Sequence, residues 1–287
     1  MPVFISLLIY VVLSCQSASA DQVNALIPAV VENDTLHALV QDTSGTTIAT
    51  RFSPPSGFTR ASLSDQSFEA FLRKLPLKPT GSKVIQYDGQ FKYRQDVHAA
   101  VIDIDVGQRD LQQCADAVMR LRAEYLWSQQ AFDDITFQFT NGFPAPYRRW
   151  RAGERIRVRG NDVSWGPQGK IDTTYQQFRK YLNMVFAYAG TLSLAKELES
   201  RPIEEIQIGD VFIQGGSPGH AVIVVDLARS NTSGEVMVLL AQSYMPAQDI
   251  HVLRNQKRVD DWYLINENTR VINTPEWIFS ATDLKHF

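Results

Sequence analysis

The sequence predicts an α+β fold with an antiparallel sheet, formed by a single domain over residues 51–287. Two segments, near residues 110–127 and 174–189, carry apolar side chains at spacings of three and four, which predicts helices. The region from Asp210 to Ala241 is rich in β-branched and apolar residues and is divided by short polar turns, which is typical of adjacent strands. Neither an internal repeat nor a linker divides the chain here, so we expect one domain.

Residues 1–20 have the pattern of a secretory signal peptide, an apolar stretch that ends in small residues, although it contains no Lys or Arg. Two modes of processing fit this segment. Ala18-Ser19-Ala20 suits ordinary signal peptidase, whereas Val12-Leu13-Ser14-Cys15 resembles a bacterial lipoprotein box, in which Cys15 would carry a lipid anchor. We therefore expect an exported protein, either periplasmic or an outer-membrane lipoprotein.

The first elements after the leader are short. Residues 21–50 are polar and lack periodicity, so we expect a flexible tether there and a folded part that begins near Arg51. Ser67–Lys74 should form a short helix that ends before Pro76. Val97–Asp105 is dense in β-branched and apolar residues and should form a strand.

The helix predicted from about Asp110 to Trp127 includes a cysteine in its apolar stripe. The members of the stripe are Leu111, Cys114, Val118, Leu121 and Tyr125. This spacing turns Cys114 toward the core. In an exported protein Cys15 would be removed or lipidated, so Cys114 would remain as an unpaired thiol outside the cytosol, which calls for an explanation.

Five further strands and a second helix complete the prediction. Ile135–Thr140 and Arg155–Arg159 alternate as strands do, with a turn at Asn141-Gly142 after the first. The second helix should run from Thr174 to Ala189. The last three strands, which should form an antiparallel meander, are Asp210–Ile213, His220–Val225 and Val236–Ala241.

Charge and histidine spacing argue against two classes of protein. The formal net charge is −3, whereas nucleic-acid binding depends on an excess of Lys and Arg at the interface. We therefore expect no nucleic-acid partner. The five histidines show neither His-x-x-x-His spacing nor a Cys-x-x-Cys companion, so we expect no metal and no other cofactor.

One segment carries a family resemblance. Ile208–Ile213, the turn Gly215–Gly219 and His220–Asp226 resemble the Gly-Asp strand and the His-led strand of papain-like cell-wall cysteine peptidases of the NlpC type. The resemblance covers roughly residues 174–245 and implies a papain-like core with an N-terminal elaboration. It also implies that His220 is the general base for a cysteine nucleophile and that Gln242 orients its ring.

The position of the nucleophile is open. In the resembled peptidases the cysteine begins the helix before the Gly-Asp strand, and here that helix has no Cys and places Phe178 near the position. This alignment implies a non-hydrolytic member. In the alternative, Leu111–Val118 resembles the polar-Cys-small start of a catalytic helix, Cys114 is the nucleophile, and the residues up to His220 are an insertion. Cys114 also fits a simple core position.

An arginine-rich segment is a second candidate site. Tyr147–Arg159 contains six arginines among aromatic and aliphatic residues, and guanidinium groups bind carboxylates and phosphates. The substrate-binding candidates are Arg149, Trp150, Arg151 and Tyr244. The alternatives are a solvated strand face that pairs with acids such as Asp133 and Asp134, and a simple turn around Tyr244.

The whole chain resembles an exported bacterial family known only as a domain of unknown function (4846). The matching residues are Val97–Gly107, Arg109–Leu126, Gly215–Asp226 and Ala241–His251. This resemblance implies a location in the bacterial envelope and brings no activity.

Three functions are compatible with these observations. The first is an exported cysteine amidase or peptidase that acts on peptidoglycan or a related amide, with Cys114, His220 and Gln242 in the catalytic roles. The second is a non-catalytic module of the same fold that binds an anionic glycan or peptide of the cell wall. The third is a structural envelope protein.

Overall fold

A computed structural model of the chain describes residues 41–287. The predicted signal peptide, Cys15 and residues 21–40 of the predicted tether lie outside the described residues. No helix in the described part is both long enough and apolar enough to cross a membrane.

The described part contains six α-helices and two short 3₁₀ turns. The helices are α1 Ile48–Arg51, α2 Phe68–Arg73, α3 Cys114–Ser128, α4 Tyr147–Arg151, α5 Tyr175–Tyr188 and α6 Thr191–Glu197. The 3₁₀ turns are Ile203–Glu205 and Ala281–Asp283.

The strands form one large open sheet and two small ribbons. They are β1 Phe58–Thr59, β2 His98–Val101, β3 Ile156–Arg159, β4 Asp162–Trp165, β5 Glu199–Ser200, β6 Val211–Gln214, β7 His220–Ser230, β8 Val236–Gln242, β9 His251–Leu253, β10 Tyr263–Ile265, β11 Val271–Asn273, β12 Ile278–Ser280 and β13 Leu284–His286. The main sheet has the order β2-β9-β8-β7-β6-β13-β5, while β1 pairs with β7 and β10 pairs with β8. All its pairings are antiparallel. The ribbons are β3-β4 and β11-β12.

Helix α3 packs across β7 and β8 at the centre of the sheet. Its first residue is Cys114, because the Asp116 carboxylate accepts the backbone N–H of the preceding Gln113 at 3.0 Å and so caps the helix. Two tight turns lead into this cap: Leu111 N–H donates to the carbonyl of Arg109, and the N–H of the cap residue Gln113 donates to the carbonyl of Leu111. Because of these turns, the regular helix begins at Cys114 and not earlier in the chain.

The mixed helix and antiparallel-sheet architecture is confirmed, and β6, β7 and β8 form the predicted meander. Helix α5 also begins where predicted, at the cap Thr174. The predicted helix at residues 110–127 begins later than expected, at Cys114, for the capping reason above.

The strand predicted at Ile135–Thr140 is wrong. This segment folds back on its own continuation, with only an isolated bridge between Gln138 and Pro144. The two segments are joined by single backbone hydrogen bonds, from Phe139 to Phe143, from Ala145 to Phe137 and from Tyr147 to Ile135, where a regular antiparallel ladder would exchange two bonds at each pair. The alternation that suggested a strand is nevertheless real, since Phe137 and Phe139 are buried.

The folded part also begins before Arg51, within the predicted tether. Ile48 is fully buried, and the backbone N–H of Asp42 donates to the carbonyl of Arg51 at 3.0 Å. Thr47 caps α1 through the N–H of Thr50. A single buried isoleucine in a polar segment produces no periodicity, which is why composition alone suggested a tether.

Candidate functional site

A cavity of about 410 Å³ lies where α3 begins and β7 begins. Cys114, His220, Tyr244 and Trp277 line it, together with the turn Gly216–Gly219 that leads into β7. The cavity thus joins two chain segments that are far apart in sequence, the N-terminus of a helix and the first residue of a strand packed against that helix.

Cys114 is nearly buried, with 7% of its surface exposed. The backbone amide of Ala221, the residue after His220, interacts with the Cys114 sulfur and favours its thiolate. The N-terminus of α3 also favours negative charge at this position. The sulfur therefore lies near the start of β7, the strand on which α3 packs.

His220 is held by one hydrogen bond and by aromatic contacts. Its Nε2 lies 2.8 Å from Gln242 Oε1 on the neighbouring strand. Ring centroids of Tyr244, Trp277 and Phe279 lie 5.0, 5.3 and 5.9 Å from the imidazole centroid. The ring therefore has a fixed position, and Nδ1 makes no hydrogen bond among residues 41–287.

A buried network fixes the orientation of the Gln242 amide. Its Nε2 donates to Glu276 Oε2 at 2.8 Å, and Glu276 Oε1 accepts from Lys92 Nζ at 2.8 Å. Gln242 Nε2 also lies 3.3 Å from Nε2 of His251, whose Nδ1 contacts the carbonyl of Asp249 at 2.9 Å.

These contacts select one tautomer of His220. A carboxylate such as Glu276 only accepts hydrogen bonds, so the amide N–H₂ of Gln242 must face it and Oε1 must face His220. His220 Nε2 therefore carries the hydrogen. In the neutral ring, Nδ1 then has the free lone pair that a general base needs.

Burial sets the resting charges of the pair. It raises the pKa of the Cys114 thiol to about 11, with a further increase from Asp116, and lowers the pKa of His220 to about 4. Among the described residues the thiol and the imidazole form no direct hydrogen bond. The resting pair at neutral pH is thus a thiol and a neutral imidazole, without a preformed ion pair.

Phe178 is not part of this site. It is fully buried and stacks on Trp127, with ring centroids 4.4 Å apart. The position near Phe178 that one alignment gives to the nucleophile therefore lies away from the cavity, and α3 is the helix that packs on β7. Of the two candidate helices, only the one that starts at Cys114 reaches the cavity with its first residue.

The arginine candidates lie apart from Cys114. Arg149 pairs with Glu154 at 2.5 Å, and not with Asp133 or Asp134, while Arg151 covers the ring of Phe132 at 4.4 Å. Neither residue lines the cavity of Cys114. Trp150 is buried and lines a neighbouring opening, whereas Tyr244 lies in the Cys114 cavity itself.

Three residues of the site were not found from the sequence. They are Lys92, Glu276 and Trp277. Each lies in a segment with no motif, and Lys92 and Glu276 are 184 positions apart in the chain. Among residues 41–287, no group of three or more His, Cys, Asp or Glu side chains is placed to hold a metal ion.

The fold and the cavity define an α+β protein whose cleft brings a cysteine at a helix N-terminus next to a histidine at a strand start. The chain belongs to the family described as Domain of unknown function (4846), which it matches over residues 48–286. No curated protein and no solved structure matches the chain at a significant level.

Proposed function

We propose that the protein is an exported cysteine amidase or peptidase of the bacterial cell envelope, with a papain-like core that acts on peptidoglycan or a related amide. The observation that carries this proposal is that Cys114 and His220 line one cavity, while the buried Gln242 is hydrogen-bonded to the imidazole. A thiol, an imidazole and an amide that fixes the imidazole are the parts that nucleophilic cysteine catalysis needs.

The reaction has two steps. The sulfur of Cys114 attacks the amide carbonyl carbon while His220 Nδ1 takes the thiol proton, and N–H groups at the start of α3 stabilise the oxyanion. The imidazolium then donates that proton to the departing amine, which leaves a thioester. In the second step His220 takes a proton from water, hydroxide attacks the thioester, and the thiol recovers the proton as the acid leaves.

The raised thiol pKa assigns a specific role to His220. A thiol with a pKa of about 11 is almost wholly protonated at pH 7 and reacts slowly by itself. Nucleophilic attack at neutral pH therefore needs His220 as a proton acceptor. A reaction rate at Cys114 that depends on His220 would therefore distinguish the proposed enzyme from a protein in which Cys114 is only a buried thiol.

The test is the rate of alkylation of Cys114 by iodoacetamide at pH 7. We expect His220→Ala to lower this rate at least about tenfold, in the range usual for loss of a general base. His286→Ala is the matched control, since His286 does not line the cavity, and it should leave the rate unchanged. Equal rates in native protein and His220→Ala, or labelling only after unfolding, would exclude Cys114 as nucleophile.

The alternative is a non-catalytic module that binds an anionic glycan or peptide. The high thiol pKa and the missing Cys114–His220 hydrogen bond favour it. In that case alkylation would be slow at pH 7, would accelerate only as the pH approaches about 11, and would not depend on His220.

A further inference from the structure

A second opening lies beside the Cys114 cavity, along helix α5. Its volume is about 490 Å³, and Arg109, Trp150, Arg155 and Lys180 are among the residues that line it. Ala187 lines both this opening and the Cys114 cavity. The two openings are therefore adjacent, with Ala187 at their shared boundary.

All the charged residues that line this opening are positive. Three cations line it and no acid does. In the described part of the chain, the side chains of Arg109 and Lys180 form no hydrogen bond or ion pair. Arg155 donates only to uncharged oxygens, the carbonyls of Trp150 and Glu154 at 2.9 and 2.7 Å and Gln177 Oε1 at 3.2 Å. Arg149 nearby, by contrast, is paired with Glu154, so the three cations of the opening are the ones left to attract an anionic group.

The wall of the opening is rigid. The Arg155 guanidinium lies over the ring of Trp150, 4.5 Å from its centroid, which holds the planar group in place. Trp150 is only 5% exposed, and its buried indole N–H has no acceptor among residues 41–287. The opening thus has one guanidinium held against Trp150 and two exposed cations, Arg109 and Lys180.

We propose that this opening is a subsite for a carboxylate of the substrate, so that the protein recognises an acidic peptide whose carboxylate lies beside the amide to be cleaved. The inference rests on the proposed function for the identity of the substrate as a peptide amide. A carboxylate is the peptide group that a guanidinium and an ammonium bind best.

The test measures binding in the full chain with Cys114→Ala, which cannot turn the ligand over. The probes are an acetylated, amidated hexapeptide of alternating alanine and glutamate and its glutamine counterpart, titrated by calorimetry at low salt. We expect the glutamate peptide to bind at least about tenfold more tightly, and Lys180→Gln and Arg109→Gln each to weaken it about fivefold. Added salt should reduce the preference.

Arg148→Gln is the matched control, because Arg148 is exposed and lines neither opening. It removes the same charge from the same region and should change the affinity by less than about twofold. Equal affinities for the two peptides, no binding of either, or an equal loss in Arg148→Gln would overturn the subsite. Loss of Cys114 chemistry would leave this readout intact, so the two proposals fail separately.

Discussion

Glu276 connects the His220 network to a buried cation. Its carboxylate accepts from Gln242 and from Lys92, and its charge raises the pKa of His220 against the larger effect of burial. In the proposed reaction His220 becomes an imidazolium. A carboxylate one amide away stabilises that charged state, so we place Glu276 as a positioning residue that acts through Gln242.

Removing this charge should slow the chemistry at Cys114. In Glu276→Gln we expect alkylation by iodoacetamide to fall about tenfold. Because Glu276 raises the pKa of His220, its loss lowers that pKa, and the acid limb of the pH–rate profile should move to lower pH. Glu205→Gln, an exposed acid outside the cavity, is the control.

An unpaired Lys92 could destabilise the single variant, so the double variant Lys92→Met with Glu276→Gln removes both charges together. An acid limb that stays in place in folded Glu276→Gln protein would contradict this role. In the double variant the limb should move less, because Lys92 lowers the pKa of His220 and its loss opposes the loss of Glu276. Thermal melting of each variant separates a change in folding from a change in the site.

Strand β7 carries one residue of the candidate site and one residue that anchors neighbouring elements of the fold. His220 begins it, and Asp226 lies near its middle with a fully buried side chain. Asp226 accepts from Arg60 Nε at 2.7 Å and from Arg73 Nε at 2.8 Å. These two arginines attach the segment around β1 and α2 to the centre of the sheet.

Asp226→Asn should therefore destabilise the fold without altering the cavity. It leaves two partly buried guanidinium groups with no carboxylate, which typically costs about 3–5 kcal/mol. The measurement is the free energy of unfolding in urea. Asp65→Asn, which breaks the solvent-exposed pair with Lys74, should show no measurable change.

The Cys114 alkylation rate of folded Asp226→Asn protein should equal that of the native protein, because six residues of strand, about 20 Å, separate position 226 from His220. A wild-type free energy of unfolding would contradict the anchoring role. A normal free energy with slow alkylation would place Asp226 in the site instead.

The sequence predicted the elements whose pattern can be read from neighbouring residues alone. The stripe of α5 and the apolar runs of β7 and β8 are periodic, and their periodicity follows from the face they bury. His220 and Gln242 were found because a short motif joins them on adjacent strands. Lys92 and Glu276 meet only through the tertiary fold, and no local pattern marks them.

The role of Cys114 was ambiguous for a similar reason. Its spacing fits an apolar stripe, and the residue is indeed nearly buried, yet it also begins the helix at the cavity. The cap that starts the helix there depends on Gln113 and Asp116. Both residue types also occur inside helices, so they did not mark the first residue of the helix in the sequence. Position at a helix start, and not burial, is the property that periodicity could not show.

For the whole molecule, buried acids and buried imidazoles have opposite effects on how the free energy of unfolding changes with pH. Burial raises the pKa of three acids, Asp116, Glu197 (to about 7) and Asp210 (to about 6). Burial lowers the pKa of three histidines, His98, His220 (to about 4) and His251 (to about 3). As the pH falls below about 6.5, the folded acids and the unfolded histidines both bind protons.

The two effects should nearly cancel. An acid with a raised folded pKa makes the folded state more stable as the pH falls, whereas a histidine with a lowered folded pKa makes it less stable. We expect the free energy of unfolding to stay almost level between about pH 6.5 and 5. It should fall below about pH 4.5, where acids of the unfolded chain also bind protons while the buried histidines stay neutral.

Urea unfolding at a series of pH values measures this balance. In His251→Asn one opposing histidine is gone, so the free energy of unfolding should rise as the pH falls from about 6.5 to 5. A steep loss of stability in the native protein over that range would mean that the histidines outweigh the acids.

The turn between β11 and β12 supplies both Glu276 and Trp277, which complete the surroundings of His220. During translation a ribosome delivers Cys114, His220 and Gln242 well before this turn emerges. An unfinished chain therefore holds these three residues without the carboxylate of Glu276 or the ring contact of Trp277. If Cys114 is the nucleophile that we propose, a prematurely terminated chain should react more slowly at this thiol than the completed polypeptide.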